Sequence, residues 1–202
     1  KGILSPKYFS IEKNSFSKSK VYSLIKKKKI SFPIVVKPIS EGSSIGVHIC
    51  KNLSSVTKIA KFLFKKYEEL IFETYISGQE IQVAVINGSP LGAIELEPKR
   101  KFYDYKAKYL KSAKTKHIMP ANLSSSKYKE VLKIAQKAHY ALRCEGISRS
   151  DFKFFKNKFY ILEINTQPGM TGLSLVPEIA SYCGISFEQL VEKILLNASL
   201  NK

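Results

Sequence analysis

With 202 residues and 44% apolar content, the chain is long enough for one large or two small globular domains with an ordinary core. Its formal charge of +18 invites a nucleic-acid partner, but 31 of the 34 basic residues are lysines scattered along the length, with Arg100, Arg143 and Arg149 the only arginines. Base readout favours arginine forks, so the charge is taken as compositional, bearing on solubility and association, and no nucleic-acid partner is expected.

Along the chain, Val21, Leu24 and Ile25 form a short amphipathic pattern that runs into Lys26, Lys27, Lys28 and Lys29, the charged end of a helix. Residues 33–38 give a buried-strand signal, and 47–49 another after a glycine and serine loop. Val56, Ile59, Ala60, Leu63, Phe64 and Tyr67 recur at helical spacing, and residues 70–75 read as a strand. From Glu80, Ile81, Val83 and Val85 alternate on one face until Asn87-Gly88 supplies a hairpin turn with a return strand at 91–96. Residues 99–120 show little periodicity and many charged and aromatic side chains, which suits a lid loop. Tyr128, Val131, Leu132, Ala135, Ala138 and Leu142 make a second helical stripe ending near Gly146, and two strands, 147–155 and 159–165, flank Lys156-Asn157-Lys158. Ser186 and Gln189 form a capping-box pattern ahead of Leu190, Val191, Ile194 and Leu195. The mixture is α+β, with hairpins that argue against a purely parallel sheet.

Cys50, Cys144 and Cys183 are odd in number and widely spaced, which speaks against a disulfide framework and for a reducing, cytoplasmic setting. No apolar run approaches a membrane span, the start shows no secretory pattern, and His48, His117 and His139 lack zinc-like spacing.

Residues 162–171, Leu-Glu-Ile-Asn-Thr-Gln-Pro-Gly-Met-Thr, place Glu163 and Asn165 on one face of a strand that breaks into a Pro-Gly turn. Two hard oxygen donors side by side suit magnesium, although a plain surface strand would also place them in water. If 156–158 is a three-residue hairpin loop, Phe155 pairs with Phe159, Asp151 falls opposite Glu163, and Arg149 falls opposite Asn165. Two close carboxylates repel unless a cation lies between them, and a neighbouring arginine suits an anionic oxygen; an ion-pair cluster is the alternative, with metal the better fit. A slip of one residue would reverse the faces. The loop Glu41-Gly42-Ser43-Ser44-Ile45-Gly46, preceded by Lys37, has the small residues and donors of a phosphate cradle but no P-loop pattern, so a flexible turn remains open. Phe102-Tyr103-Asp104-Tyr105-Lys106-Ala107-Lys108-Tyr109 would either pack as a loop or cover a nucleotide base.

Together, Val36-Lys37-Pro38 with the 41–46 loop, residues 102–109, Arg149-Ser150-Asp151-Phe152, and 163–171 with Ser174-Leu175 resemble, in order and spacing over nearly the whole chain, the D-alanine-D-alanine ligase family of ATP-grasp enzymes. The resemblance implies ATP between two α+β subdomains, about 1–73 and 74–202, with a lid about 99–120. It implies that Lys37 and Ser44 contact ATP phosphates, that Glu73, Tyr75, Ile76 and Glu80 line the adenine and ribose pocket with Phe102 and Leu162 also touching ATP, and that Lys108 meets the γ-phosphate. Asp151, Glu163 and Asn165 would hold two magnesium or manganese ions.

The implied reaction joins two D-alanine molecules through a D-alanyl phosphate for peptidoglycan precursor synthesis. Arg149 and the Gly169 N–H would stabilise the oxyanion, Ser174 and the Leu175 N–H would bind the second carboxylate at a helix start, and Ser43 with Tyr109 would complete the first amino-acid site. Tyr109 fits the dipeptide-forming branch, since the depsipeptide branch has a histidine there. The family is implied to be cytoplasmic, dimeric at full length and free of membrane anchoring. Family members carry an additional amino-terminal domain, so the chain is expected to be a fragment, and Lys106 departs from the family's acidic residue. The competing expectations are a ligase with another acceptor such as D-lactate, and an ATP-binding module without activity of its own.

Overall fold

The structure is a computed structural model that describes residues 2–42, 44–98 and 115–198. These fall into two compact units, one over Pro6–Ile76 and one combining residues 2–5, 77–98 and 115–198.

The first unit contains β1 (Tyr8–Glu12), a short 3-10 turn (Lys13–Ser15), α1 (Lys18–Lys28), β2 (Ile34–Pro38), β3 (His48–Cys50), α2 (Leu53–Leu63) and β4 (Glu69–Thr74). Its strands form an antiparallel sheet in the order β1-β4-β2-β3. α1 starts at Ser17, whose hydroxyl accepts from the Lys20 N–H, and ends on Lys26, Lys27 and Lys28, where cations complement the helix dipole. α2 opens with a reciprocal capping box between Asn52 and Ser55. Period-two alternation divides the sheet. Ile34, Val36, Leu70 and Phe72 join Val21, Ile25, Val56, Ala60 and Leu63 in the core, with Phe9 stacked on Phe72 at 5.0 Å. Val35, Lys37, Ile71 and Glu73 take the other face. β1 escapes sequence pattern because only Phe9 and Ile11 of its five residues turn inward.

The second unit contains β5 (Gln79–Ile86), β6 (Ser89–Glu97), β7 (Lys116–Ile118), α3 (Ser125–Ala141), β8 (Ile147–Phe155), β9 (Lys158–Asn165), α4 (Leu175–Tyr182) and α5 (Phe187–Leu196). The antiparallel order is β7-β6-β5-β8-β9. Asn87 (φ 50) and Gly88 (φ 76) make the expected two-residue turn, both in the left-handed region that this tight connection requires. Ile81, Val83, Val85, Phe152 and Phe159 bury one face of the sheet under Val131 and Ala135 of α3. The opposite face carries Glu80, Gln82, Arg149, Asp151 and Lys153, a row of polar side chains across β5 and β8. α5 opens with the expected capping box between Ser186 and Gln189. Among the described residues no helix is long and apolar enough to cross a membrane.

Two features differ from the sequence pattern. Lys116–Ile118, inside the stretch expected to be a loop, is a strand pairing with β6 through Glu95↔Ile118 and Glu97↔Lys116. The β8–β9 connection is a two-residue turn of Lys156 (φ 47) and Asn157 (φ 63), so Phe155 pairs with Lys158 and not with Phe159. A bulge at Leu162 then adds one residue to β9, after which Asp151 pairs with Glu163 and Arg149 with Asn165.

His139, on the inner side of α3, is buried with its Nδ1 2.8 Å from the Ser148 hydroxyl and its ring edge-on to Tyr140. Burial pushes its pKa below the ordinary histidine value. Below about pH 6.5 the unfolded chain therefore takes up a proton that the folded chain refuses, so this contribution is complete above that pH and is lost progressively as pH falls through the folded pKa. In urea titrations from pH 7.5 to 5, wild type should lose stability relative to His139→Gln, with a differential slope of up to about 1.4 kcal/mol per pH unit; parallel curves would refute the assignment.

Candidate active site

In the first unit, β2 and β4 present Lys37 and Glu73 side by side on the face away from the core, with Lys37 Nζ 2.8 Å from Glu73 Oε1. Tyr75 and Ile76 follow directly after β4 and are half-buried, and the Tyr75 N–H donates to the Pro33 carbonyl at 3.0 Å. The loop after β2 closes on itself. The Ile45 N–H donates to the Gly42 carbonyl at 2.9 Å, with Ser44 (φ 62) and Gly46 (φ 71) both left-handed. Gly46 has a second reason to lack a side chain, since a Cβ there would lie 2.9 Å from the Pro38 ring. Glu41 anchors the loop by accepting from the Tyr67 hydroxyl at 2.8 Å and from Lys66 at 3.3 Å, and these bonds hold its carboxyl below the usual range.

In the second unit, the register puts Arg149, Asp151, Glu163 and Asn165 on one face. Arg149 grips Asp151 with two parallel bonds, Nε to Oδ1 at 2.8 Å and Nη2 to Oδ2 at 3.0 Å. A carboxylate has about four lone-pair sites, so this grip leaves Asp151 capacity for a cation. Glu163 is exposed on the outer strand, and Asn165 Oδ1 accepts from the Gln167 N–H at 2.9 Å, which starts the turn toward Gly169. Leu162, at the bulge, is half-buried.

The chain then brings Gly169 against the start of α4, so closely that a Cβ on Gly169 would lie 2.8 Å from Ser174 Oγ. Ser174 is the N-cap of α4, as the sequence suggested, but its side chain makes no cap bond. It accepts from the Thr171 N–H at 3.0 Å and pairs with the Thr171 hydroxyl at 2.9 Å. Thr171 is thus the residue that orients Ser174.

The expected site residues Ser43, Phe102, Lys108 and Tyr109 lie outside the described residues, as does most of the expected lid. Two residues that the sequence did not single out stand within the polar face. Lys153 pairs with Glu80 at 2.8 Å. Gln82, buried and directly opposite Asp151, has an Oε1 with no hydrogen-bond partner among the described residues. Both are one alternation away from a suspected residue, but finding them needs the β5–β8 pairing, which joins strands far apart in sequence. Among the described residues there is no group of three or more His, Cys, Asp or Glu side chains gathered to hold a metal. A cation here would rest on two carboxylates, the Asn165 amide and water. That hard-oxygen set fits magnesium.

Comparison with known proteins places these features. The family described as "D-ala D-ala ligase C-terminus" matches residues 1–196. The D-alanine--D-alanine ligase of Pelagibacter ubique (strain HTCC1062) is 55% identical over 202 residues, covering 99% of this chain and 64% of that protein. The crystal structure of D-alanine--D-alanine ligase from Bacillus anthracis superimposes with a TM-score of 0.82 at 30% identity, over 97% of this chain and 62% of that one. The Bacillus anthracis ligase complexed with ATP gives a TM-score of 0.81 at 26% identity, over 97% and 60%. The chain therefore spans less than two thirds of these relatives. The two α+β units have the ATP-grasp fold. Within that class, the chain belongs to the D-ala D-ala ligase C-terminus family.

Proposed function

We propose that this chain is the nucleotide-binding and catalytic portion of a cytoplasmic, ATP-dependent ligase that joins two D-alanine molecules for peptidoglycan precursors. The observation that carries this reading is the opposition of Asp151 and Glu163 beside Arg149 and Asn165 on one sheet face, followed in the chain by the Gly169–Ser174 approach at the start of α4. Relatives named for this activity, one of them solved with ATP, support it.

In this reading Lys37 and Ser44 meet the ATP phosphates and Lys108 the γ-phosphate. Glu73, Tyr75, Ile76 and Glu80 line the adenine and ribose pocket, with Phe102 and Leu162 also touching ATP. Asp151, Glu163 and Asn165 hold magnesium, which when bound spreads the negative charge of the transferring phosphoryl group. The carboxylate of the first D-alanine attacks the γ-phosphorus, the bond to the bridging oxygen breaks, and ADP leaves a D-alanyl phosphate. The free amine of the second D-alanine attacks the carbonyl carbon, phosphate departs with the C–O bonding pair, and the nitrogen sheds a proton. Arg149, held in plane by Asp151, and the Gly169 N–H donate to the oxygen that becomes negative in between. Ser174 and the Leu175 N–H orient the second carboxylate, while Ser43 and Tyr109 complete the first amino-acid site.

The test is incubation of the intact protein with ATP, magnesium and D-alanine, reading phosphate and dipeptide together. Stoichiometric release of both is expected. ATP binding without turnover would reduce the protein to a nucleotide-binding module, and, in a parallel incubation with D-lactate added, depsipeptide in place of dipeptide would reassign the acceptor. The family likeness also supports a homodimer, which sedimentation of the intact protein would reveal.

A further inference from the structure

Resting on the nucleotide reading above, we infer that Lys153 is a ribose-positioning residue that acts through Glu80. Lys153 lies on β8 two residues beyond Asp151, on the same face as Arg149 and Asp151, and its cross-strand partner on β5 is Glu80. Its ammonium is 2.8 Å from Glu80 Oε2, with the two side chains only 14% and 13% exposed. The first unit repeats the arrangement, with Glu73 held by Lys37 at the same 2.8 Å. In each unit a carboxylate expected to meet the nucleoside is therefore braced by a lysine from the adjacent strand.

The brace has a chemical purpose. A vicinal diol offers two O–H donors, and the group that best receives them is a carboxylate fixed in one rotamer and kept ionised. A carboxylate only 13% exposed is costly to hold in place without a counter-charge close by. Lys153 supplies the charge and, by pulling on Oε2, fixes the plane of the carboxyl group. It does not touch the reacting phosphoryl group, so its removal weakens nucleotide binding while leaving the chemical step in place.

The experiment compares ATP with 2′-deoxy-ATP and 3′-deoxy-ATP in the intact protein and in Lys153→Met, measuring KM and kcat for each nucleotide. Wild type should prefer ATP over the deoxy analogues by roughly tenfold in kcat/KM, the weight of one charge-assisted hydrogen bond. In Lys153→Met the preference should collapse toward one, through a higher KM for ATP and a kcat within about twofold of wild type. Lys153→Arg should restore much of the preference. If the methionine variant fails to fold, Lys153→Gln, which still donates to Glu80, carries the same comparison and should show an intermediate preference. A wild type that turns over ATP and both deoxy analogues equally would overturn the ribose role of Glu80 and this inference with it. A normal wild-type preference that survives unchanged in the Lys153 variants would overturn the inference alone. Absence of any ATP use by wild type would instead strike the proposed function itself.

Discussion

Arg149→Met in the intact protein is expected to lose both stability and rate. Arg149 and Asp151 are 13% and 7% exposed and joined by two hydrogen bonds, so removing the guanidinium strands a carboxylate that has little access to water. Breaking such a pair from one side costs about 3 to 5 kcal/mol, which a lowered urea midpoint would register. Loss of a preorganised donor to the developing oxyanion should also cut the amide-forming rate by roughly 10² to 10³. The stability effect is isolated in the double variant Arg149→Met with Asp151→Asn, which also loses the proposed metal ligand Asp151. Neutralising the stranded carboxylate should return the urea midpoint most of the way to wild type, because an uncharged pair carries far less desolvation cost. The rate should stay low. If Arg149→Met kept near-normal dipeptide formation, the oxyanion role would be excluded whatever its stability.

The buried strand β2, the alternation of β5, the Asn87-Gly88 turn and the Ser186/Gln189 cap were all legible in sequence, because each rests on contacts within a few residues. The pairing of Asp151 with Glu163 was also reached from sequence, but by two offsetting errors. The turn is one residue shorter than supposed, and the bulge at Leu162 restores the count. Lys156-Asn157 lacks the glycine that marks most such turns, and a bulge leaves no local signature in a stretch of mixed apolar residues. β1 and β7 were missed because they bury little, with only Phe9 and Ile11 of β1 turned inward and no residue of β7 buried. Lys153 and Gln82 were missed for a topological reason. β5 and β8 are neighbours although β6, β7 and α3 lie between them in the chain, and no local count reveals that. Geometry groups the site residues, and the roles proposed for them rest on the likeness to a known family.

Glu163→Gln should separate metal binding from folding more cleanly than any change at Asp151. Glu163 is exposed on the outer strand β9, whereas Asp151 is buried in its grip with Arg149. An exposed, nearly isosteric change should move stability by no more than about 0.5 kcal/mol. The same change replaces a charged oxygen donor by a neutral one in a set that has only one other carboxylate, so the site loses half its formal negative charge. Magnesium is bound through charge and a few oxygen donors, and the magnesium concentration for half-maximal phosphate release should rise by at least about tenfold. At ordinary magnesium the rate should fall roughly 10²-fold, with partial recovery as magnesium is raised. On the proposed oxyanion role, Arg149→Met should show no such recovery, since that role lies in a donor to the substrate oxygen. A Glu163→Gln protein whose rate and magnesium dependence match wild type would remove this carboxylate from the metal set and leave the opposed pair on β8 and β9 as a structural ion cluster.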